Sequence, residues 1–114
     1  MNENEKAIES YRKCIEIKPN EPSFYVNLSA LLVYSLSFDE IIKLTTKAIE
    51  LDPLSEDNDL AYQLKGMSLS QLKRDDEAIK CLDISIQMNP LNPLAYGYKG
   101  KIIFVFIYKF IKLI

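Results

Sequence analysis

The chain has no histidine among its 114 residues. That removes the usual general base near neutral pH and the commonest metal ligand. No serine, cysteine or carboxylate stands at motif spacing from a base, so the expectation is no enzyme, no metal and no cofactor. Cysteine is scarce too: only Cys14 and Cys81 occur, and they form no C-x-x-C pair. Both sit inside helix-spaced apolar patterns, which reads as small hydrophobes in a reducing setting. An excess of charge of one sign is also missing. Lysine and arginine total 14 against 16 acids, a net charge of −2, and the basic residues are scattered among acids. This gives no electrostatic footprint for a nucleic acid. Glycine is rare at three residues, and no alternating strand pattern precedes the C-terminal stretch. The expected class is all-α. No apolar run follows the polar opening Met1 to Lys6, so no signal peptide is read and a cytoplasmic, intracellular setting is expected.

What is present is a cassette that occurs three times. Ala7 to Pro19 reads AIESYRKCIEIKP, Ile41 to Pro53 reads IIKLTTKAIELDP, and Ala78 to Pro90 reads AIKCLDISIQMNP. All three place apolar or small residues at offsets 0, 1, 4, 7, 8 and 10, with polar exceptions only at Thr45 and Ser85, and a proline at offset 12. This spacing describes one face of a helix, closed by a residue that stops it. The copies begin at residues 7, 41 and 78, so they lie 34 and 37 residues apart. Such a period marks a protein of stacked repeats.

Between the cassettes lie helices of a second kind. Asn4 is the expected N-cap of the first cassette, which arrives with no helix ahead of it to pair with. Pro22 suits the first turn of the next helix, in which Tyr25, Leu28, Leu31, Leu32 and Leu36 recur at spacings of three and four. Asp39 and Glu40 open the second cassette, and Asp76 and Glu77 the third, where negative charge favours a helix N-terminus. A helix from Tyr62 to about Leu72 lies between them. The polar stretch from Leu54 to Asp59 holds three residues more than the matching connections, either as a longer loop or as a helix that starts one turn early. After Pro93 a further helix begins with Tyr96 and Gly100. It carries no turn residues where a turn is due and runs apolar to Ile114.

The alternation of a helix bearing Tyr25, Tyr62 or Tyr96 with the cassette resembles the tetratricopeptide repeat family. The positions that carry the resemblance are Tyr62, Gly66 and Leu69, Tyr96, Gly100 and Ile103, and the set Ala78, Leu82, Ser85 and Pro90, over a 34-residue period. Ile41 departs from the small residue of that pattern and Thr45 from its aromatic, which predicts looser packing in the first full repeat. The resemblance implies one domain over 1–114, an α-solenoid of antiparallel helix pairs. It divides into a half repeat at 4–19, repeats at 22–53 and 57–90, and the start of another at 93–114. Gly66 and Gly100, with Ala7, Ala48 and Ala78 opposite, let helix backbones approach. The tyrosines at 25, 62 and 96 are core anchors and not a ladder for stacking a cofactor.

In the family the first helix of each repeat lines a concave groove that takes extended peptides or a partner helix. That carries over to Asn27, Ala30 and Tyr34, to Gln63, Leu64, Met67 and Gln71, and to Tyr98 and Lys101. The implied function is a non-catalytic scaffold for a protein or peptide partner. Members that clamp a chaperone's C-terminal carboxylate use a ring of Lys, Arg and Asn. Only Asn27 and Lys101 match that ring here, and no arginine does. An apolar or amide-bearing peptide fits the groove better, alongside the plainer reading that these residues only pack on further helices. Two other roles stay open: a structural piece of a longer solenoid with no ligand of its own, and a membrane-peripheral adaptor held by residues 102–114. That tail is too short for a bilayer span of about 20 apolar residues, which makes membrane attachment the weaker idea. Its composition also fits a truncated or misread gene end, as translated AT-rich sequence would read. Self-association through the Ala7–Ile15 face or the 102–114 tail completes the expectations.

Overall fold

The computed structural model describes residues 1–114 as six α-helices and no strand. In chain order they are α1 (Glu3–Ile17), α2 (Pro22–Leu32), α3 (Phe38–Leu51), α4 (Asp59–Gln71), α5 (Asp75–Met88) and α6 (Pro93–Leu113), with a single 3-10 turn at Val33–Ser35 after α2. Successive helices pack on one another, and α2, α4 and α6 also pack side by side. The result is an elongated body of 55 × 34 × 21 Å. This is a helical solenoid, in which each element touches only near neighbours along the chain.

The helix starts follow local chemistry. Asn2, not Asn4, caps α1: its side chain accepts from the Glu5 N–H at 2.8 Å, so the helix begins earlier in the chain than expected. Acids fill the first turns of α3 (Asp39, Glu40) and α5 (Asp75, Asp76, Glu77), where they meet the positive end of the helix dipole. Proline opens α2 and α6. Each first-type helix begins three residues before its tyrosine, so the extra residues after Pro53 belong to the loop and not to an early helix. Asn58 ties that loop shut by donating its side-chain amide to the Asp52 carbonyl at 2.8 Å.

The turns inside the helix pairs share one device. Leu36 and Lys73 both adopt positive φ, 57° and 64°. A left-handed residue at a helix C-terminus reverses the chain, at a steric cost for any residue with a side chain. Counting from the first residue of each first-type helix, the matching position in α6 is Ile107. A β-branched side chain is among the worst tolerated there. The chain does not turn, and α6 continues for 21 residues, about 31 Å at the standard rise. No helix is long and apolar enough to cross a membrane.

The core forms two linked clusters. Leu28, Leu32, Ile41, Leu64 and Met67 fill the first, flanked by Ile8, Tyr11 and Ile15 of α1. Leu69, Ala78, Cys81, Leu82, Ala95 and Ile102 fill the second, and Tyr98 packs on both. Burial raises the Cys81 thiol above its ordinary pKa, which leaves it a small hydrophobe at neutral pH. The first full repeat is not loose. Ile41, Thr45 and Ser29 are all fully buried. Thr45 donates its hydroxyl to the Ile41 carbonyl at 2.7 Å and Ser29 to the Tyr25 carbonyl at 2.7 Å, so both polar groups are satisfied within their own helices.

The anchor tyrosines divide along the chain. Tyr25 is buried and donates its hydroxyl to the Pro19 carbonyl at 2.6 Å. Tyr62 is half-buried, and Tyr96 is 48% exposed. Tyr96 departs from the anchor expectation because no helix covers its side of α6. Gly100 departs for the same reason: a Cβ there would meet nothing within 4 Å.

Candidate functional site

Helices α2, α4 and α6 form one wall of the solenoid, and all nine residues expected to line a groove belong to these helices or, for Tyr34, to the 3-10 turn after α2. The structure sorts them by burial. Asn27, Tyr34, Gln71 and Lys101 are exposed, with Tyr34 at 77%, while Ala30 and Tyr98 are half-buried. Gln63, Leu64 and Met67 are buried and do not open onto the wall. Adjacent first-type helices pack flank to flank, and that contact takes Leu64 and Met67 into the core beside Leu28 and Leu32. Gln63 is held from the next repeat: its amide oxygen accepts from the side-chain N–H of Asn92. The Asn92 oxygen in turn accepts from the Leu94 N–H at 3.0 Å, so one residue caps α6 and fastens it to α4. The open wall is therefore narrower and more polar than the sequence pattern implies.

Charge is unevenly spread along the two edges of this wall. At the N-terminal ends of α2 and α4, Glu21, Asp52 and Asp57 line a cleft together with Val26, Asn27 and Asn58. At the far end, Lys73, Lys101 and Lys109 line another cleft with Ser70, Gln71 and a single acid, Asp75. A third shallow recess on α6 is bounded by Leu94, Gly97, Tyr98 and Lys101. The sequence reading missed Lys73 and Lys109 because it took only the face-forming positions of regular helices. Lys73 sits in a turn, and Lys109 lies in the part of α6 that outruns the repeat. Asn27 and Lys101, the two candidates for a carboxylate ring, stand at opposite edges, and Asn27 has acidic neighbours. They line different clefts.

On the outer side, Arg12 of α1 donates both terminal guanidinium N–H groups to the two carboxylate oxygens of Glu40 on α3, each at 2.9 Å. The guanidinium hydrogen bonds hold the Glu40 carboxyl below the usual range, against a smaller opposing effect of burial. This pair braces α1 and is remote from the wall.

Antiparallel helix pairs at this period, with the first-type helices aligned as one wall, define an α-solenoid of two-helix repeats. The chain matches the family described as Tetratricopeptide repeat over residues 1–21 and 60–90. It is 40% identical over 62 residues to Hsc70-interacting protein 1 of Drosophila melanogaster, covering 54% of this chain and 15% of that relative. It is 30% identical over 86 residues to small glutamine-rich tetratricopeptide repeat-containing protein 2 of Mycosarcoma maydis, covering 75% of this chain and 24% of that one. The chain thus spans less than a quarter of the length of these relatives. Among solved structures, it is similar to the TPR domain of Arabidopsis OM64, with a TM-score of 0.79 at 22% identity over 87% of this chain and 79% of that one. The first TPR of Spaghetti (RPAP3) bound to the HSP90 peptide SRMEEVD superposes with a TM-score of 0.82 at 21% identity, covering 91% of this chain and 80% of that chain. This chain belongs to the tetratricopeptide repeat family.

Proposed function

We propose that this chain is a non-catalytic protein-interaction module that holds an extended peptide or a partner helix against the wall of α2, α4 and α6. The observation that carries the reading is how polarity is distributed on that wall. The buried Gln63 is hydrogen-bonded internally to Asn92, whereas Asn27, Tyr34, Gln71 and Lys101 stand exposed and Tyr98 is half-buried. Exposed amides, a tyrosine and a long cation beside an aromatic face are the groups that read a peptide backbone and its side chains. Conversion of Tyr34, Gln71 and Lys101 to alanine leaves the core untouched. It should abolish capture of partners from a lysate with the helical circular-dichroism signal intact. Undiminished capture by that variant would place recognition elsewhere.

A more specific version concerns the ligand's charge. The cleft lined by Lys73, Lys101 and Lys109 favours acidic side chains, and the Glu21–Asp52–Asp57 cleft repels them. The likeness to Hsc70-interacting proteins, and to a domain that holds SRMEEVD, supports an acidic chaperone peptide of this kind. Fluorescence anisotropy with labelled SRMEEVD should show salt-sensitive binding that a Lys73→Glu, Lys101→Glu variant loses. Equal binding by that variant, or tighter binding of a basic control peptide, would remove the acidic ligand from consideration.

A further inference from the structure

Four lysines lie on α6, and two of them are already engaged. Lys99 pairs with Asp83 of α5 at 2.7 Å, and the Lys112 ammonium sits 5.4 Å from the centre of the Tyr108 ring. Lys101 and Lys109 form no ion pair. Both are exposed on the cleft between α6 and the end of α4. Val105 stands between them on the same cleft, 41% exposed. The three follow at intervals of four residues, which keeps side chains on one face of a helix. Each interval advances about 6 Å, so Lys101 and Lys109 lie about 12 Å apart along the axis. Along α6 the cleft therefore reads cation, apolar, cation.

The opposite lip supplies groups of another kind. Helix α4 ends there with the Ser70 hydroxyl and the exposed Gln71 amide, and Lys73 follows in the turn. Asp75 is the one acid on the rim, so three cations face a single carboxylate. The cleft holds about 170 Å³. That admits side chains from one edge of a strand but not a helix, which is about 10 Å across. A strand repeats its same-face side chains every second residue, about 6.6 Å apart, close to the step of the lysine stripe. Over the whole stripe, four strand residues span about 13 Å, a mismatch of about 1 Å that flexible lysine side chains absorb. A strand also brings free backbone N–H and C=O groups, which the Ser70 hydroxyl and the Gln71 amide can pair with. A helix has most of its own already bonded.

This inference rests on the acidic-ligand reading of the same cleft and specifies it. We propose that the cleft selects an extended peptide segment with an acid, an apolar residue and a second acid at alternate positions, acid-x-apolar-x-acid. The two carboxylates go to Lys101 and Lys109, and the apolar side chain lies on Val105 between them. Lys73, on the facing lip, adds to the positive field without fixing the register. Selectivity then lies in spacing and not in negative charge alone. Adjacent acids engage only one end of the stripe, and a free C-terminal carboxylate is not required.

Short peptides, acetylated and amidated to remove terminal charge, test this against the nitrogen-15-labelled chain at low salt. SESVSES carries the pattern, SEESVSS has the same composition with its acids adjacent, and ESSSVSSSE sets the same three side chains at helical spacing. SESVSES should bind roughly two- to fivefold more tightly than SEESVSS, the worth of one exposed ion pair, with amide shifts centred on Lys101, Val105 and Lys109. Lys109→Gln should remove that advantage. Val105→Ser should weaken SESVSES and leave SESSSES unchanged. Both substitutions are at exposed positions, so the melting curve should not move. Equal affinity for SESVSES and SEESVSS overturns the spacing and leaves the acidic-ligand reading in place. Binding of neither peptide overturns both. Tightest binding by ESSSVSSSE overturns the extended occupant in favour of a helix.

Discussion

Gly66 and Gly100 stand 34 residues apart at one position of the repeat, and they do different things. Gly66 lies where α4 and α5 come closest, against a fully buried Leu82 and the backbone of Ala78. Gly100 faces open space on a helix whose side chains beyond Ile102 are all exposed. The residue type is the same and so is its place in the pattern. The difference is made by the neighbour. A glycine in a repeat is a structural requirement only where a second helix arrives, and it is otherwise a helix-weakening residue.

The deepest break in this comparison is Leu82→Ala. It removes a fully buried side chain from the cluster of α4, α5 and α6 and should cost about 2–5 kcal/mol in urea unfolding. The same change at Tyr11, the equivalent and half-buried position on α1, should cost less. Equal losses would mean that α1 is covered as fully as α5. Next in size, Gly66→Ala should destabilise by about 1–3 kcal/mol, because neither the Leu82 branch point nor a backbone carbonyl can move away cheaply. Combined with Leu82→Ala, the loss should fall short of the sum of the two, since the second change vacates the space the first needs. Gly100→Ala should go the other way and stabilise the monomer at low concentration by about 0.5–1 kcal/mol, from helix propensity alone. A loss at Gly100 matching that at Gly66 would show a partner already seated there.

The smallest effect concerns how α1 is held. The guanidinium of Arg12 lowers the Glu40 carboxyl, so this pair contributes stability above the ordinary carboxylate range. The contribution is lost as pH falls through the lowered folded value. With the two side chains 49% and 36% exposed, the contribution should be no more than about 0.5 kcal/mol. Wild type and Glu40→Gln should therefore differ slightly in melting temperature at neutral pH and converge in acid. A gap that widens on acidification would rule out the pair as its cause.

Much of this fold is legible in the residues. The three cassettes, their prolines and the acids ahead of them place α1, α3 and α5, and the tyrosine spacing places the helices between. What pattern alone does not reveal is which members of a face are left open. Leu64 and Met67 occupy groove positions, yet the flank contact between parallel first-type helices buries them. Gln63 is spoken for by Asn92, 29 residues further along, a pairing that no local spacing encodes. Side-chain size alone predicts looseness at Ile41 and Thr45. Thr45 and Ser29 instead fold their hydroxyls onto their own backbones and pack as small residues. The lysines at one edge of the wall fall outside the regular helix faces, because one sits in a turn and another beyond the last regular repeat.

Helix α4 is the only element with neighbours on every side: α3 and α5 on one flank, α2 and α6 along the wall. In a body built only of near-neighbour contacts, protection from solvent falls off with distance from that centre. The amide hydrogens of α4 should accordingly be the last to exchange with deuterium, those of α3 and α5 earlier, and those of α1 and the outer turns of α6 first. The molecule should then breathe from its two ends inward, around the one helix with neighbours on every side.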